Sequence, residues 1–279
     1  MNLTIGLSPC PNDTFIFDAL LHGKIDTEGL KFTPRLEDVE TLNMLARSGE
    51  LDITKVSYGA VPRLIYHYRL LDAGGALGQG VGPLLVAKNM NNAADLNPTV
   101  HTVALPGINT TAHLLFSMAF PEIRNKVFIP FHEIEDAIIS GKVDAGVIIH
   151  ENRFTYTEKG LNQLAELGDL WELKTGLPIP LGGILARRSY AVPLLHKINR
   201  VIRKSLEYAW ENAHELSPFV KENAQEMSEE VMRKHIALYV NNYSLALGSA
   251  GRAAVWKLLE TAAIIQPTPG FESFEVFVD

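Results

Sequence analysis

Two stretches of the chain, "LARSGELDITKVSY" (45–58) and "AIISGKVDAGVIIH" (137–150), follow one pattern. Each reads as the end of an amphipathic helix, a Ser-Gly pair, a charged residue, an aliphatic residue, an Asp and an apolar strand. Gly49 and Gly141 stand where the end of a helix favours a residue that tolerates positive φ. The strands that follow are apolar without alternation, as strands buried on both faces are. The repeat therefore predicts two similar α/β units.

The segments before each copy of the repeat complete these units. The strand "LTIGL" (3–7) precedes a helix that Asn12 or Asp13 can cap and that Gly23 can end. Later, the strand "TVAL" (102–105) leads through a Pro-Gly turn to a helix that begins near Thr110. The order β-α-β-α-β is thus predicted twice.

The strands "GPLLVAK" (82–88) and "GGILARR" (182–188) resemble each other and bracket the second unit. We interpret them as crossings between two lobes. Lobe 1 is then discontinuous, residues 1–83 plus 187–279, and lobe 2 is residues 84–186, with crossover strands near 83–88 and 182–187. Helical spacing of apolar residues, with Ser228 as a cap for the middle segment, predicts helices over 193–214, 228–240 and 248–263.

This arrangement predicts where function lies. In doubly wound sheets, ligands bind beyond the carboxyl ends of strands, so we expect a substrate cleft between the lobes. The predicted strand ends that would line it are 8–12, 57–58, 106–111 and 150–153.

The composition is that of an ordinary globular protein, with 47% hydrophobic and 20% charged residues among 279. The formal net charge is −7 and basic residues are scattered, so neither nucleic acid nor an anionic membrane is an expected partner. No apolar run reaches the roughly 18 residues that cross a bilayer, and the N-terminus lacks the features of a signal peptide. A cytoplasmic location is therefore expected, while the oligomeric state is not indicated.

Cys10 is the only cysteine, and the nine His residues show none of the spacings of zinc sites, so no structural metal is expected. Cys10 precedes a predicted helix N-terminus, which can lower the pKa of a thiol. We favour a small residue lining the pocket over a nucleophile. The other possible pocket-lining residues are Asn12, Tyr58, Arg153 and Tyr156, and for Tyr156 core packing is the alternative.

His150 is the candidate catalytic residue, because it follows a buried strand at the predicted cleft. A lone His is often a satisfied core or surface residue, and that reading is the alternative. A neutral imidazole titrates at about pH 6.5, so a partly buried His can act as a base near neutral pH. Glu151 is adjacent, but successive strand side chains point to opposite faces. The sequence does not identify the group that orients His150.

Two further places could bind an anion. Lys55 lies inside a buried strand, where its charge needs an anionic ligand or a nearby carboxylate, and a salt bridge between elements is the structural alternative. Asn109, Thr110 and Thr111 open a helix whose backbone N–H groups can hold a carboxylate or phosphate. Capping of the helix by a threonine uses the same groups and is equally compatible.

Four ordered motifs, "SPCPNDTF" (8–15), "ITKVSYGAV" (53–61), "GPLLVAK" and "GVIIHENRFTY" (146–156), resemble the 1,4-dihydroxy-6-naphthoate synthase family of the futalosine route to menaquinone. The resemblance runs from about residue 3 to about residue 190. It implies an α/β protein with a two-lobed, periplasmic-binding-protein-like (type 2) fold, in which two doubly wound lobes are joined by two crossover strands. It also implies a cytoplasmic lyase without a cofactor, which converts cyclic dehypoxanthine futalosine to 1,4-dihydroxy-6-naphthoate.

The resemblance further implies roles for single residues. His150 falls on the proton acceptor of the family. Substrate binding falls on Lys55, Val56 and Ser57 and on Asn109, Thr110 and Thr111. The expected partner is thus a small-molecule carboxylate substrate.

Other functions remain open on the sequence. A solute-binding protein for a small carboxylate uses the same fold without reaction, but the missing signal peptide disfavours it. The sibling enzyme that dehydrates chorismate is the second alternative, against which "SPCPNDTF" and "VIIHE" count. A cytoplasmic sensor domain is the third, although no DNA-binding segment is attached.

Overall fold

A computed structural model describes residues 1–224 and 228–278. The chain divides into two compact units, one of Met1–Gly78 and Pro180–Asp279 and one of Gln79–Ile179. We call them unit 1 and unit 2. The strands are β1 Asn2–Leu7, β2 Lys31–Leu36, β3 Ile53–Ser57, β4 Tyr68–Leu70, β5 Ala76–Gly78, β6 Leu84–Ala87, β7 Val103–Leu105, β8 Lys126–Phe128, β9 Ala145–Ile148, β10 Asn162–Glu166 and β11 Ile179–Arg187.

Helices alternate with the strands in the first part of each unit, and helices alone fill most of the C-terminal part of unit 1. They are α1 Pro11–Leu21, α2 Val39–Ser48, α3 Val61–Leu64, α4 Thr111–Ala119, α5 Ile134–Ile139, α6 Asn152–Thr155, α7 Leu167–Thr175, α8 Val192–Glu211, α9 Pro218–Asn223, α10 Glu229–Tyr239, α11 Asn242–Leu245 and α12 Gly248–Ile265. No helix among the described residues is both long enough and apolar enough to cross a membrane.

The two sheets share one plan. In unit 1 the order is β2-β1-β3-β11-β4, with β5 also pairing β11, and in unit 2 it is β10-β6-β9-β7-β8. β1 is parallel to β2 and β3, as β7 is to β8 and β9. The two look-alike strands are antiparallel to the repeat strands, β11 to β3 and β6 to β9. The predicted double β-α-β-α-β order is confirmed.

Equivalent residues of the repeat have equivalent roles. Gly49 ends α2 with φ 71° and Gly141 follows α5 with φ 73°, the positive values that the sequence predicts. The Asp52 carboxylate accepts a hydrogen bond from the Thr4 backbone N–H at 2.8 Å, which fixes the start of β3 to β1. Asp144 accepts one from the Thr102 N–H at 2.7 Å, just before β7. Each Asp therefore joins the strand of its repeat to the neighbouring parallel strand.

Each unit has its own apolar core. In unit 1, α1 and α8 cover one face of the sheet, and Ser205 of α8 donates to the Ile16 carbonyl at 2.6 Å and accepts from the Leu20 N–H at 3.1 Å. In unit 2 the core lies between β6, β7, β9 and α5. The predicted C-terminal helices are confirmed as α8, α10 and α12, and the Ser228 hydroxyl accepts from the Val231 N–H at the start of α10.

The chain leaves unit 1 after Gly78 and returns at Pro180. The sequence places these changes later, at 83/84 and 186/187. The difference has a physical reason, because β11 pairs with β3 and β4 along residues 182–187 and so already belongs to unit 1. At the other junction, the Arg153 guanidinium binds the carbonyls of Gly80 and Gly82 and ties this segment to unit 2.

Candidate functional site

The candidate residues of unit 1 lie at the carboxyl ends of β1 and β3. Lys55 is buried, and its ammonium donates to Asp13 Oδ1 at 2.8 Å and to the Gly74 carbonyl at 3.2 Å. Of the partners that the sequence leaves open for Lys55, the structure supplies the carboxylate. Two of the three N–H donors of the ammonium are thereby used.

Asp13 organises this end of the sheet. Its fully buried carboxylate accepts from the Ser8 N–H at 3.1 Å and from Asn12 Nδ2 at 2.9 Å, in addition to Lys55. The capping role predicted for Asn12 or Asp13 is therefore wrong. The helix begins at Pro11, whose fixed φ suits the first helical position, so both residues lie inside the first turn.

A histidine from the C-terminal helices completes the network. Asn12 Oδ1 lies 2.9 Å from Nε2 of His235, which is fully buried on α10. Since this amide oxygen can only accept, the imidazole Nε2–H is the donor. The buried network thus runs from His235 through Asn12 and Asp13 to Lys55. Sequence patterns do not indicate His235, because it lies 223 positions from Asn12.

The remaining unit 1 candidates, Val56, Ser57 and Tyr58, are buried at the end of β3 or directly after it. The Asn43 side chain, also missed, accepts from the Ser57 N–H at 2.9 Å and donates to Ser57 Oγ at 3.2 Å. Val56 and Tyr58 are fully buried, and burial, with a smaller contribution from Asp72, raises the pKa of the Tyr58 phenol. Within residues 1–224 and 228–278, no group hydrogen-bonds to the Tyr58 Oη.

Cys10 is buried at the N-cap position of α1, and its N–H donates to Ser8 Oγ at 3.1 Å. This places the thiol ahead of the helix, as the sequence predicts.

In unit 2, Thr110 is the N-cap of α4, as predicted. Its Oγ1 accepts from the His113 N–H at 3.1 Å and donates to the Gly107 carbonyl at 2.8 Å. Thr110 and Thr111 are buried, whereas Asn109 is half-buried. The capping role of Thr110 is thus present, and it leaves the anion-binding role of this helix start as a prediction.

His150 lies two residues beyond β9 in an unusual backbone conformation. Its φ is 57°, in the left-handed region that residues other than glycine seldom adopt, although His, Asn and Asp do so more often than most. The ring is half-buried and packs against Phe131, with ring centroids 4.8 Å apart at 60°. Backbone strain of this kind concentrates at functional positions, where the surrounding structure holds it.

The chain after His150 turns directly into α6. Glu151 is buried, and the Arg153 N–H donates to the His150 carbonyl at 3.4 Å. Tyr156 is half-buried, packs against the unit 2 core and donates from its Oη to Gln163 Oε1 at 3.3 Å. Tyr156 thus packs against the core of unit 2, and its place in the pocket stays a prediction.

The Arg153 side chain is used within unit 2. Besides its bonds to Gly80 and Gly82, the guanidinium lies 3.6 Å from Glu166 Oε1. Burial, and then a hydrogen bond with Asp169, raise the pKa of Glu166 to about 7, against the lowering effect of Arg153. The sequence had given no reason to single out Glu166.

Comparison with known proteins shows the family of this chain. Residues 3–263 match the family described as menaquinone biosynthesis. A 1,4-dihydroxy-6-naphthoate synthase from Streptomyces coelicolor is 45% identical over 94% of this chain and 93% of its own. One from Thermus thermophilus is 43% identical over 96% and 97%.

Solved structures define the fold. A protein from Archaeoglobus fulgidus superposes with a TM-score of 0.88 at 34% identity, covering 95% of this chain and 97% of its own. A Candida albicans protein described as having the generic periplasmic binding protein fold gives a TM-score of 0.69 at 14% identity over 97% and 93%. The fold is thus periplasmic-binding-protein-like, and the chain belongs to the menaquinone-biosynthesis family, which includes the 1,4-dihydroxy-6-naphthoate synthases.

Proposed function

We propose that this protein is a 1,4-dihydroxy-6-naphthoate synthase, a lyase that converts cyclic dehypoxanthine futalosine to 1,4-dihydroxy-6-naphthoate without a cofactor. The observation that carries the proposal is the identity of 45% and 43%, over nearly the full length, with two relatives of that name. We propose a cytoplasmic location for it.

His150 is the general base of this proposal. His150 is half-buried and its ring packs against that of Phe131, so the base would act beside an apolar surface. Removal of a substrate proton by His150 would drive carbon–carbon cleavage toward the aromatic product. Aromatisation would supply much of the driving force.

We assign substrate binding to the candidates of β3 and to those at the start of α4. Lys55 would give its third N–H donor to the substrate, because Asp13 and Gly74 take the other two. Ser57, held by Asn43, and the α4 start at Asn109–Thr111 would supply neutral hydrogen bonds to the substrate carboxylate and hydroxyl groups. The sequence-based prediction of one substrate site shared by the two lobes belongs to this proposal.

An incubation tests the function. The purified protein, without added metal or nucleotide, is mixed with cyclic dehypoxanthine futalosine, and formation of dihydroxynaphthoate is followed by absorbance. We expect product formation by the wild-type protein. Binding of the compound without product would contradict the proposal and favour a solute-binding or sensor protein.

The His150→Asn variant tests the base. Asn tolerates the left-handed conformation, so the backbone should be retained while the base is lost. We expect turnover to fall by about 10²–10⁴-fold, with substrate binding measured by calorimetry nearly unchanged. Turnover close to that of the wild type would exclude His150 as the base.

A further inference from the structure

The segment that follows His150 is held by one buried carboxylate. Glu135, in the first turn of α5, is fully buried, and its Oε2 accepts from Lys159 Nζ at 2.6 Å. The same oxygen accepts from Asn152 Nδ2. Both donors lie downstream of His150, one at the start of α6 and one in the turn after it.

Glu135 depends on these two donors. A buried carboxylate is costly unless donors or cations compensate its charge. The second oxygen, Oε1, is buried and accepts no hydrogen bond from the residues that the structure describes. The compensation therefore comes from Asn152 and Lys159 at Oε2, and it is present only when the segment 150–159 lies against α5.

The stretch 131–135, which ends at Glu135, also contacts the His150 imidazole. Phe131, four residues before Glu135, packs its ring against that of His150. The segment 150–159 is thus fixed at two places, by the aromatic contact at the His150 ring and by the Glu135 carboxylate at Asn152 and Lys159. The backbone of His150 itself has φ 57°, a conformation that persists where its surroundings fix it.

We propose that Glu135 is a positioning residue for His150, which holds the imidazole in its working place by anchoring Asn152 and Lys159. This inference rests on the proposed function, in which His150 is the base. Glu135 itself is assigned no contact with substrate. It acts on the orientation of the base and not on substrate affinity.

The Glu135→Gln variant is the direct test, because it keeps the shape and removes the charge. The amide oxygen can take the place of Oε2 and still accept from both donors, but it carries no charge to compensate the Lys159 ammonium, and the amide nitrogen takes the place of the buried Oε1. We expect kcat to fall by about 10–100-fold, as small misplacement of a catalytic group does, while KM changes by less than about threefold. Glu133→Gln, an exposed Glu two residues away, is the matched control and should behave as the wild type.

A second readout does not depend on turnover. In NMR spectra of protein labelled at histidine, the His150 signal is identified by its loss in His150→Asn. We expect Glu135→Gln, and not Glu133→Gln, to shift this signal and its titration midpoint without moving those of the other His residues. If the wild-type protein lacks the synthase activity, the proposed function fails, and this readout still tests the positioning.

Two outcomes would overturn the inference. One is a Glu135→Gln protein with the kcat and His150 signal of the control. The other is a loss of activity that only follows the fraction of unfolded protein. If Glu135→Gln does not fold, Lys159→Met removes a donor from the exposed side of the pair, and a fall in kcat with an unchanged KM is again expected, whereas a wild-type kcat would contradict it.

Discussion

The strands β3 and β9 belong to the two copies of one sequence repeat, but the polar side chains near their carboxyl ends differ in burial and in their partners. At the end of β3, Lys55 is buried and matched by Asp13 at 2.8 Å, and Asn12 and His235 extend the network. Beyond β9, His150 is half-buried and held in a left-handed conformation. The first end is a closed, charge-compensated framework, while the second keeps a titratable ring at a strained position. Chemistry is therefore expected at the second end and rigidity at the first.

The largest expected effect tests the framework. Asp13→Asn leaves the Lys55 ammonium buried without its counter-charge, which should lower the free energy of unfolding by about 3–5 kcal/mol. Urea unfolding followed by circular dichroism measures it. The double variant Asp13→Asn/Lys55→Met removes both charges and should recover most of the loss. A loss below about 1 kcal/mol in the single variant would show that the pair is not what stabilises this end.

A smaller effect tests whether the two copies of the repeat are equivalent. Alanine at Gly49 or at Gly141 must adopt φ near 70°, although a Cβ would meet no atom within 4 Å at either site. Each change should therefore destabilise by about 1–2 kcal/mol through backbone strain alone. Lys142→Ala, at an exposed neighbour of Gly141, is the control and should stay within about 0.5 kcal/mol of the wild type. Clearly unequal losses at the two glycines would break the equivalence.

The smallest effect concerns the strained end. His150→Ala and His150→Asn should be equally inactive, but only Asn tolerates φ 57°. We expect the alanine variant to be less stable than the asparagine variant by about 1 kcal/mol, measured as the difference in urea midpoints at equal slope. Equal stability of the two would indicate that the left-handed conformation depends on the imidazole itself.

Local patterns in the sequence predicted much of the fold. The Ser-Gly-x-x-Asp repeat predicted both β-α-β-α-β units because the turn glycines and the strand-joining Asp residues act over short distances. The helices α8, α10 and α12 followed from apolar spacing and a serine cap. Short strands such as β4 and β8, three residues each, carry too little pattern to be recognised.

The site was predicted less fully, since its partners are set by tertiary contacts. No residue close to Lys55 in the sequence indicates that its partner is Asp13, which is 42 positions away. Glu135 stands in the acidic run "EIED", where solvent exposure is the usual outcome, and only the packing of α5 shows that it is buried. The sequence also did not indicate the left-handed backbone conformation of His150, because the residue at this position is not a glycine.

The division of the chain also bears on its synthesis. Unit 2 is one continuous stretch, Gln79–Ile179, whereas the sheet of unit 1 needs β11 between β3 and β4. Domains fold as units while the chain emerges from the ribosome. Here the second unit is complete before the first, and the apolar strands β1 and β3 must wait for β11 and α8. The sheet of unit 1 is therefore completed only after all of unit 2 has been synthesised.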